Sequence, residues 1–318
     1  MKKIGLVGYG NLGKAVEYMV EKFPDIKLDH IFTRRNPRDI LTYNKDASVL
    51  PYSSIMSYRD KLDCLILAGG SKSDLSHQSP YLSRYFNIVD SFDDHTEIRE
   101  HIKAVDKSAC EGGKCALVSS GWDPGLFSLM RLYFSSFMPS GTVNTFWGRG
   151  VSQGHSEALR GIEGVRYAVQ YTVPKKEALL AASRGESTDP RAAHKRICYI
   201  VADEEKREFI TKEIRGMKNY FLGYETEVNF ISEAEFKRHH TALPHGGKVV
   251  SHLKLGDDIT ELAELTLSLD SNPHLTAGIL LASARAVCKL YDEGERGAKT
   301  VLDIPPRMFC NVSPTSFL

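Results

Sequence analysis

The apolar run Lys3-Ile4-Gly5-Leu6-Val7 leads directly into Gly8-Tyr9-Gly10-Asn11-Leu12-Gly13, and Lys14–Val20 follows with helical periodicity. A strand, a GxGxxG turn and a helix in that order open a dinucleotide-binding βαβ unit. Each glycine has a physical task in it. Gly8 makes the tight turn, Gly10 lets the backbone approach a pyrophosphate, and Gly13 lets helix and strand pack closely. The helix start offers free N–H groups and a partial positive charge to the phosphates. Tyr9, Asn11 and Leu12 complete the expected cradle. The first part of the chain is thereby restricted to an α/β plan built for a nicotinamide or flavin dinucleotide.

The 318 residues make room for roughly two domains of ordinary size. With 41 basic against 40 acidic residues the net charge is +1, which gives no electrostatic reason to expect nucleic acid or an anionic membrane as a partner. No apolar run approaches the ~18 residues of a membrane span. No basic segment with an apolar stretch and cleavage site precedes the first strand. Six cysteines are scattered without a CxxC pair, so reduced thiols are expected rather than disulfides or a metal site. The composition is that of a soluble, cytoplasmic enzyme-like protein whose partner is a small molecule.

Candidate strands at Ile4–Val7, Leu28–Phe32, Cys64–Ala68, Asn87–Val89 and Cys115–Ser119 alternate with helical patterns. That alternation predicts a Rossmann-type, doubly wound parallel sheet. It stops at Trp122-Asp123-Pro124-Gly125. Beyond lie extended runs with few helical patterns between them, Thr142–Trp147, Arg166–Val173, Arg196–Val201, Glu225–Phe230 and Lys248–Leu253. They predict a second, α+β domain with a mainly antiparallel sheet. Leu275–Leu290 is helical again and is followed by a last short run, Thr300–Ile304. The expected organisation is a dinucleotide-binding domain over 1–121, a second domain over 122–272, and a return of 273–318 to the first.

The end of the second strand decides between the two nicotinamide dinucleotides, since an acid there receives the ribose hydroxyls and a base accommodates a 2′-phosphate. Thr33-Arg34-Arg35 stands at that end, whereas Asp29 comes too early in the strand. Paired guanidinium groups suit a dianion, so NADP is favoured over NAD; two solvated arginines are the plainer alternative. Ligands of such sheets sit outside the carboxyl ends of the strands. There the chain carries Ala68-Gly69-Gly70-Ser71, small residues against which a cofactor can lie, then Asp90-Ser91-Phe92-Asp93-Asp94-His95 and Ser119-Ser120-Gly121-Trp122-Asp123-Pro124-Gly125. Acids at strand ends also serve as helix caps, and Pro124-Gly125 is turn chemistry. In the second half, the glycine-spaced stretch Asn144–Ser156 is too polar for a core strand. Thr172 ends one run and Arg196 begins another, while His245 and Asn272 lie in tight loops. Each has an ordinary structural use, and spacing alone does not bring them together.

The stretches VGYGNLG, VSSGWDPGLFS, TFWGRGVSQGHSEALRGIEGV, AVQYTVP, HKR, GYETEVNFI and LPHGGKV together resemble the meso-diaminopimelate D-dehydrogenase family, from Lys3 to about Leu290. WDPG and SQGHS are far more specific to that family than the glycine motif. The resemblance implies NADP-dependent, reversible oxidative deamination of the D-configured carbon of meso-2,6-diaminopimelate on a branch of lysine biosynthesis. It also implies a homodimer formed through the second, substrate-binding domain. Carried over by position, it implies that Asp93 and Asp123 hold the reacting amine, with Trp122 and Trp147 as the adjacent wall. It assigns the neighbouring carboxylate to the Gln153-Gly154 backbone, and the distal amino-acid end to Thr172, Arg196, His245 and Asn272. Gly69 departs from the family, which often carries a bulkier residue there. Broader D-amino-acid dehydrogenases, reductases on the same plan that use a different acid set or a lysine, and a non-catalytic NADP sensor are the competing readings.

Overall fold

The structure, a computed structural model, describes residues 1–44, 46–218 and 220–318. Strand β1 (Lys2–Val7), helix α1 (Asn11–Val20), β2 (Ile26–Thr33), β3 (Ser48–Pro51), β4 (Cys64–Leu67), α2 (Ser76–Ser83), β5 (Ile88–Asp90), α3 (Ile98–Gly112) and β6 (Cys115–Leu117) follow in order. Helix α4 (Leu126–Phe137) carries the chain onward. Then come β7 (Thr142–Trp147), β8 (Gly150–Val151), α5 (Gln153–Arg160), β9 (Val165–Pro174), α6 (Lys176–Ser183), α7 (Pro190–Ala193), β10 (His194–Ala202), α8 (Arg207–Gly216), β11 (Glu225–Phe230), α9 (Glu233–His239), β12 (His245–Leu255) and β13 (Ile259–Leu269). The chain ends with α10 (Asn272–Asp292), β14 (Gly297–Lys299) and three short 3₁₀ turns. Two compact units result: Met1–Leu129 with Pro273–Leu318, and Met130–Asn272.

In the first unit seven strands form one parallel sheet in the order β14-β6-β5-β4-β1-β2-β3. Successive side chains of a strand point to opposite faces, and both faces are apolar here. Cys64 and Ile66 join one core with Ala15 and Val16 of α1 and Leu280, Leu281 and Val287 of α10. Leu65 and Leu67 join the other with Leu82 of α2 and Val105 and Ala109 of α3. Covering both faces with helices is what a parallel sheet requires, and it makes the unit doubly wound. Strand order reverses between β1 and β4, which places a crevice at the carboxyl ends of those two strands.

The second unit holds two smaller sheets. In β11-β10-β9-β8 only the β10–β11 pair is parallel, and β13-β12-β7 is antiparallel throughout. Leu159 of α5 and Ile210 and Ile214 of α8 pack on Ala168, Cys198 and Ile200 of the first of these. Phe236 of α9 packs on its other face with Val169, Tyr171 and Ile197.

Two sequence expectations are corrected. Thr300–Ile304 is not extended: Thr300 and Asp303 form a capping box that starts a 3₁₀ turn, and the strand lies just before it, at Gly297–Lys299. The second unit is richer in helix than its extended runs imply, with α5 to α9 between its strands. Strand β13 is not signalled by propensity, since Glu261-Leu262-Ala263-Glu264-Leu265 is composed of good helix formers. Eleven-residue pairing with β12 makes it a strand, as tertiary context overrides propensity.

The glycines of the first turn differ physically. Gly8 has φ +93°, a region L side chains rarely enter. A Cβ at Gly13 would lie 2.3 Å from the Gly8 carbonyl oxygen, whereas one at Gly10 would meet nothing within 4 Å. Gly13→Ala is therefore expected to lower stability by about 1–3 kcal/mol through overpacking, read from urea unfolding. Gly10→Ala should leave the urea midpoint in place. Equal losses at both positions contradict the packing argument.

Candidate active site

At the mouth of the first unit, the loops after β1 and β4 are joined by the Ala68 N–H donating to the Val7 carbonyl at 2.8 Å. Gly10 is the N-cap of α1 and supplies no side-chain cap, so the first N–H groups of the helix at Asn11 and Leu12 are open to a ligand. Tyr9 is buried and its hydroxyl donates to Glu17. Burial, then the Glu17 carboxylate, pushes the phenol above its ordinary pKa. The other Glu17 oxygen accepts from the Asn44 N–H at 2.8 Å, which ties the segment after β2 to the glycine turn.

Thr33 closes β2, and its hydroxyl accepts from the Arg35 N–H at 3.1 Å. The Arg35 guanidinium donates to the Tyr9 carbonyl at 2.5 Å. Arg34 is exposed and paired with Asp74 at 2.6 Å. Each arginine is thus held through one Nη2 of a group that has five N–H donors. Asp74, not anticipated from sequence, also accepts from the Gly70 N–H at 3.2 Å. Its Cβ would lie 2.6 Å from any Cβ placed at Gly69, so the missing side chain there makes room for Asp74.

Ser71 donates to the Asp93 carboxylate at 2.5 Å and accepts from the Asp93 N–H at 3.0 Å. The loop after β4 is thereby fastened to the one after β5. Ser91 is half-buried, and Phe92 turns its ring into the core, stacked on His101 with 3.9 Å between centroids. Only the Phe92 backbone faces the loop. Trp122 is buried edge-on against Phe127, and its carbonyl accepts from the Phe127 N–H at 2.7 Å. Asp123, half-buried, precedes a cis Pro124. Asp93 and Asp123 therefore follow adjacent strands, β5 and β6.

In the second unit Thr172 and Arg196 stand directly opposite each other on β9 and β10, both buried. Arg196 Nη1 donates to the Thr172 hydroxyl, which also accepts from Gln170 Nε2 at 3.3 Å. The guanidinium lies 4.2 Å from the centroid of Tyr224, and its Nε is buried without a hydrogen-bond partner. Burial lowers its pKa from the ordinary arginine value. Gln170 was legible in principle, since it shares a face with Thr172 at period two; Tyr224 gave no such signal.

Gly150 pairs with Thr172 on the far side of β9. The Val151 N–H donates to the Pro244 carbonyl at 2.8 Å, and the Gly148 N–H to Gly246 at 2.7 Å. These bonds bracket His245, which starts β12 rather than lying in a tight loop, because its backbone pairs across the hairpin with Leu269. Asn272 likewise begins α10, its N–H donating to Leu243 at 3.0 Å. Trp147 ends β7, its N–H donating to His194 Nε2 at 3.0 Å. Gln153 and Gly154 are exposed at the start of α5. The preceding Ser152 contacts His155 Nδ1 at 2.6 Å instead of capping the helix. The Ser152 N–H donates to Gln170 at 3.0 Å, which fixes that helix start beside β9. Backbone bonds thus tie together the segments that carry Thr172, His245, Asn272 and the α5 N-terminus, and Arg196 is bonded directly to Thr172. The arrangement can receive a carboxylate.

Burial, reinforced by the Arg196 charge, depresses the His155 pKa from 6.5 to about 3; burial also lowers His245 and His194. Unfolded imidazoles take up protons that these folded ones refuse. Stability is therefore intact above pH 6.5 and lost progressively as pH falls toward 3. Thermal unfolding followed from about pH 7.5 down to about pH 5 should show a falling Tm. His155→Asn should flatten the decline, and an unchanged slope in that variant speaks against His155 as a source.

Residues 121–271 match the model of the diaminopimelic acid dehydrogenase C-terminal domain. Over 315 residues the chain is 45% identical to a meso-diaminopimelate D-dehydrogenase of Ureibacillus thermosphaericus, covering 98% of this chain and 96% of the relative. The structure of a Corynebacterium glutamicum diaminopimelate dehydrogenase in complex with diaminopimelate superposes with a TM-score of 0.93 at 40% identity, covering 99% of this chain and 98% of that one. An engineered D-amino acid dehydrogenase bound to NADP+ gives 0.88 at 39% identity, covering 99% and 98%. The chain belongs to the meso-diaminopimelate D-dehydrogenase family.

Proposed function

We propose that this protein carries out NADP-dependent, reversible oxidative deamination of meso-2,6-diaminopimelate at its D-configured carbon, giving L-2-amino-6-oxopimelate and ammonia. The oxo product cyclises to tetrahydrodipicolinate, and a biosynthetic role in lysine formation and a cytoplasmic location belong to the same reading. The observation that carries it is similarity at 45% identity over 98% of the chain to a relative of that name. A neighbour bound to NADP+ supports the cofactor. The residues present fit it: Gly10 leaves open space, the α1 N-terminus is uncapped, and Arg34 and Arg35 suit a 2′-phosphate. Gly8 to Leu12 would hold the pyrophosphate and Thr33 to Arg35 the ribose phosphate. Ala68 to Ser71 with Ser91 and Phe92 would line the nicotinamide side.

When bound, NADP+ supplies the acceptor for hydride. The side chains of this protein supply the rest. Hydride leaves Cα only as the nitrogen lone pair becomes available, so the ammonium must lose a proton. Asp93 and Asp123 bind it and hold the Cα–H in a reactive orientation, and Asp123 accepts the proton. Water then adds to the imine and ammonia leaves. Trp122 and Trp147 wall the reacting carbon, while the Gln153-Gly154 backbone takes its carboxylate. Thr172, Arg196, His245 and Asn272 take the L-configured end. Entry the wrong way round leaves the buried Arg196 guanidinium without a carboxylate, at about 1–3 kcal/mol for an unmatched donor.

A homodimer formed through the second unit is part of the proposal. It is supported by the exposed apolar side chains Leu132, Phe137, Leu255, Ile259 and Leu262, which cluster on α4 and the β12–β13 hairpin.

The test mixes purified protein with NADP+ and meso-diaminopimelate and follows absorbance of the reduced cofactor, with NAD+, D-alanine and D-lysine as comparisons. Fast reduction is expected for the first pair, and its absence overturns the reading. Asp123→Asn should lower kcat by about 100-fold or more. Arg196→Ala should raise KM for the diacid by about 10- to 100-fold with NADP affinity intact. Parallel loss of both affinities argues against the distal assignment.

A further inference from the structure

One buried carboxylate has no part in the reaction just proposed. Asp90 ends β5 and is fully buried. Its Oδ2 accepts from Ser79 Oγ of α2 at 2.6 Å and faces His101 Nε2 of α3 at 2.7 Å. A carboxylate oxygen accepts, so the imidazole donates through Nε2. Its Oδ1 accepts from the backbone N–H groups of Ser119 at 2.8 Å and Phe92 at 3.1 Å. The Asp90 carbonyl accepts from the Ser120 N–H at 2.9 Å.

Four donors from four separate segments converge on one side chain. An ionised carboxylate is acceptor-only with two oxygens and about four lone-pair sites, and no other side chain of this size satisfies such a set. Two of the donors lead to the proposed reacting groups. From Asp90 the chain passes through Ser91 and the held Phe92 to Asp93, and from the held Ser119 through Ser120, Gly121 and Trp122 to Asp123. Ser119 adopts φ +53°, a left-handed conformation disfavoured for an L-residue by roughly 1–2 kcal/mol, and its N–H is gripped by Oδ1. Phe92 is gripped twice, by its N–H on Oδ1 and by its ring lying flat on His101 at 8°. Ser120 is anchored further by its hydroxyl, 2.6 Å from Ser283 of α10.

We infer that Asp90, braced by His101 and Ser79, is a positioning residue that sets the spacing of the Asp93 and Asp123 loops for the reaction. The inference rests on the function proposed above. Asp90 touches no substrate. It acts because one carboxylate holds both loops at once, and a misplacement of about 1 Å at a reacting group costs on the order of 100-fold in rate.

The experiment compares wild type, Asp90→Asn, Asp90→Ala and His101→Gln, each titrated with NADP+ to count folded sites. In Asp90→Asn the remaining oxygen still accepts from Ser119 and Phe92 while the amide confronts Ser79 and His101. About a 10-fold loss of kcat per site is expected there, and about 100-fold for Asp90→Ala. KM for meso-diaminopimelate and NADP+ affinity should stay within about threefold, because the groups that bind both ligands are kept. The Asn variant thus rescues part of the Ala defect. A merely structural residue would instead reduce the number of NADP+-binding sites and leave kcat per site untouched. That result, or a raised KM with unchanged kcat, overturns the inference. Should Asp90→Ala fail to fold, Asp90→Asn and His101→Gln decide on the same readout. If wild type itself fails to reduce NADP+ with meso-diaminopimelate, the functional reading falls separately. Crystal structures of wild type and Asp90→Asn then judge the spacing: relative movement of residues 93 and 123 by about 1 Å supports it, and superposable loops refute it.

Discussion

A parallel sheet covered on both faces favours nearly continuous apolar runs in its central strands. Leu65, Ile66 and Leu67 show the consequence, each wholly inaccessible with neighbours packed above and below. Polar chemistry in the first unit is therefore displaced to the strand ends, where the loops after β1, β2, β4, β5 and β6 carry the glycine turn, the two arginines, Ser71 and both candidate carboxylates. The mixed sheet that holds β9 and β10 in the second unit is not bound by that rule. Thr172 and Arg196 lie within strands, and their pairing is a matter of register. Two sheet types thus put their polar groups in two different kinds of place.

That difference explains what the sequence discloses. In the first unit each short apolar run is followed at once by its polar segment, so Thr33-Arg34-Arg35, Ala68–Ser71 and Trp122-Asp123 announce themselves at the ends of legible strands. The parallel alternation and the mainly antiparallel second half are both as the pattern predicts. In the second unit, the proximity of Thr172 and Arg196 depends on a register that periodicity does not specify, and only family motifs single them out. His245 and Asn272 look like turn residues because Pro, Gly and Ser surround them, whereas long-range pairing makes one a strand start and the other a helix start. Asp74, Glu17 and Tyr224 were missed for a related reason. Each acts on a partner distant in sequence, through a contact that no local pattern encodes.

Asp90 belongs to the same class of hidden residue, with a difference. As the last residue of β5 it reads as one more acid at a strand end, equivalent to Asp93 three positions later. Accessibility separates them: Asp93 is exposed and bonded to the Ser71 hydroxyl of the loop after β4, whereas Asp90 is buried and bonded to residues of α2 and α3. One strand end therefore carries two carboxylates with opposite relations to solvent. The inner one binds backbone N–H groups, and the outer one is open to solvent.

The second unit carries an electrostatic imbalance of its own. Taking a guanidinium out of water is costly unless its donors are matched, yet the partners of Arg196 are a neutral hydroxyl and an aromatic face, and its Nε lacks an acceptor. An unmatched buried donor carries a penalty of about 1–3 kcal/mol. Under the proposed function, a substrate carboxylate at Arg196 would supply both the missing acceptor and the missing negative charge, and part of its affinity would be relief of that imbalance. The neighbouring imidazoles sharpen that preference. Burial keeps His155 and His245 neutral near pH 7, so they add no second cation beside Arg196 and repel no incoming ammonium. On the proposed reading, an amino-acid terminus, with one anionic and one cationic group, would be accepted as a whole. A site of two or three cations would bind the carboxylate more strongly and reject the amine beside it.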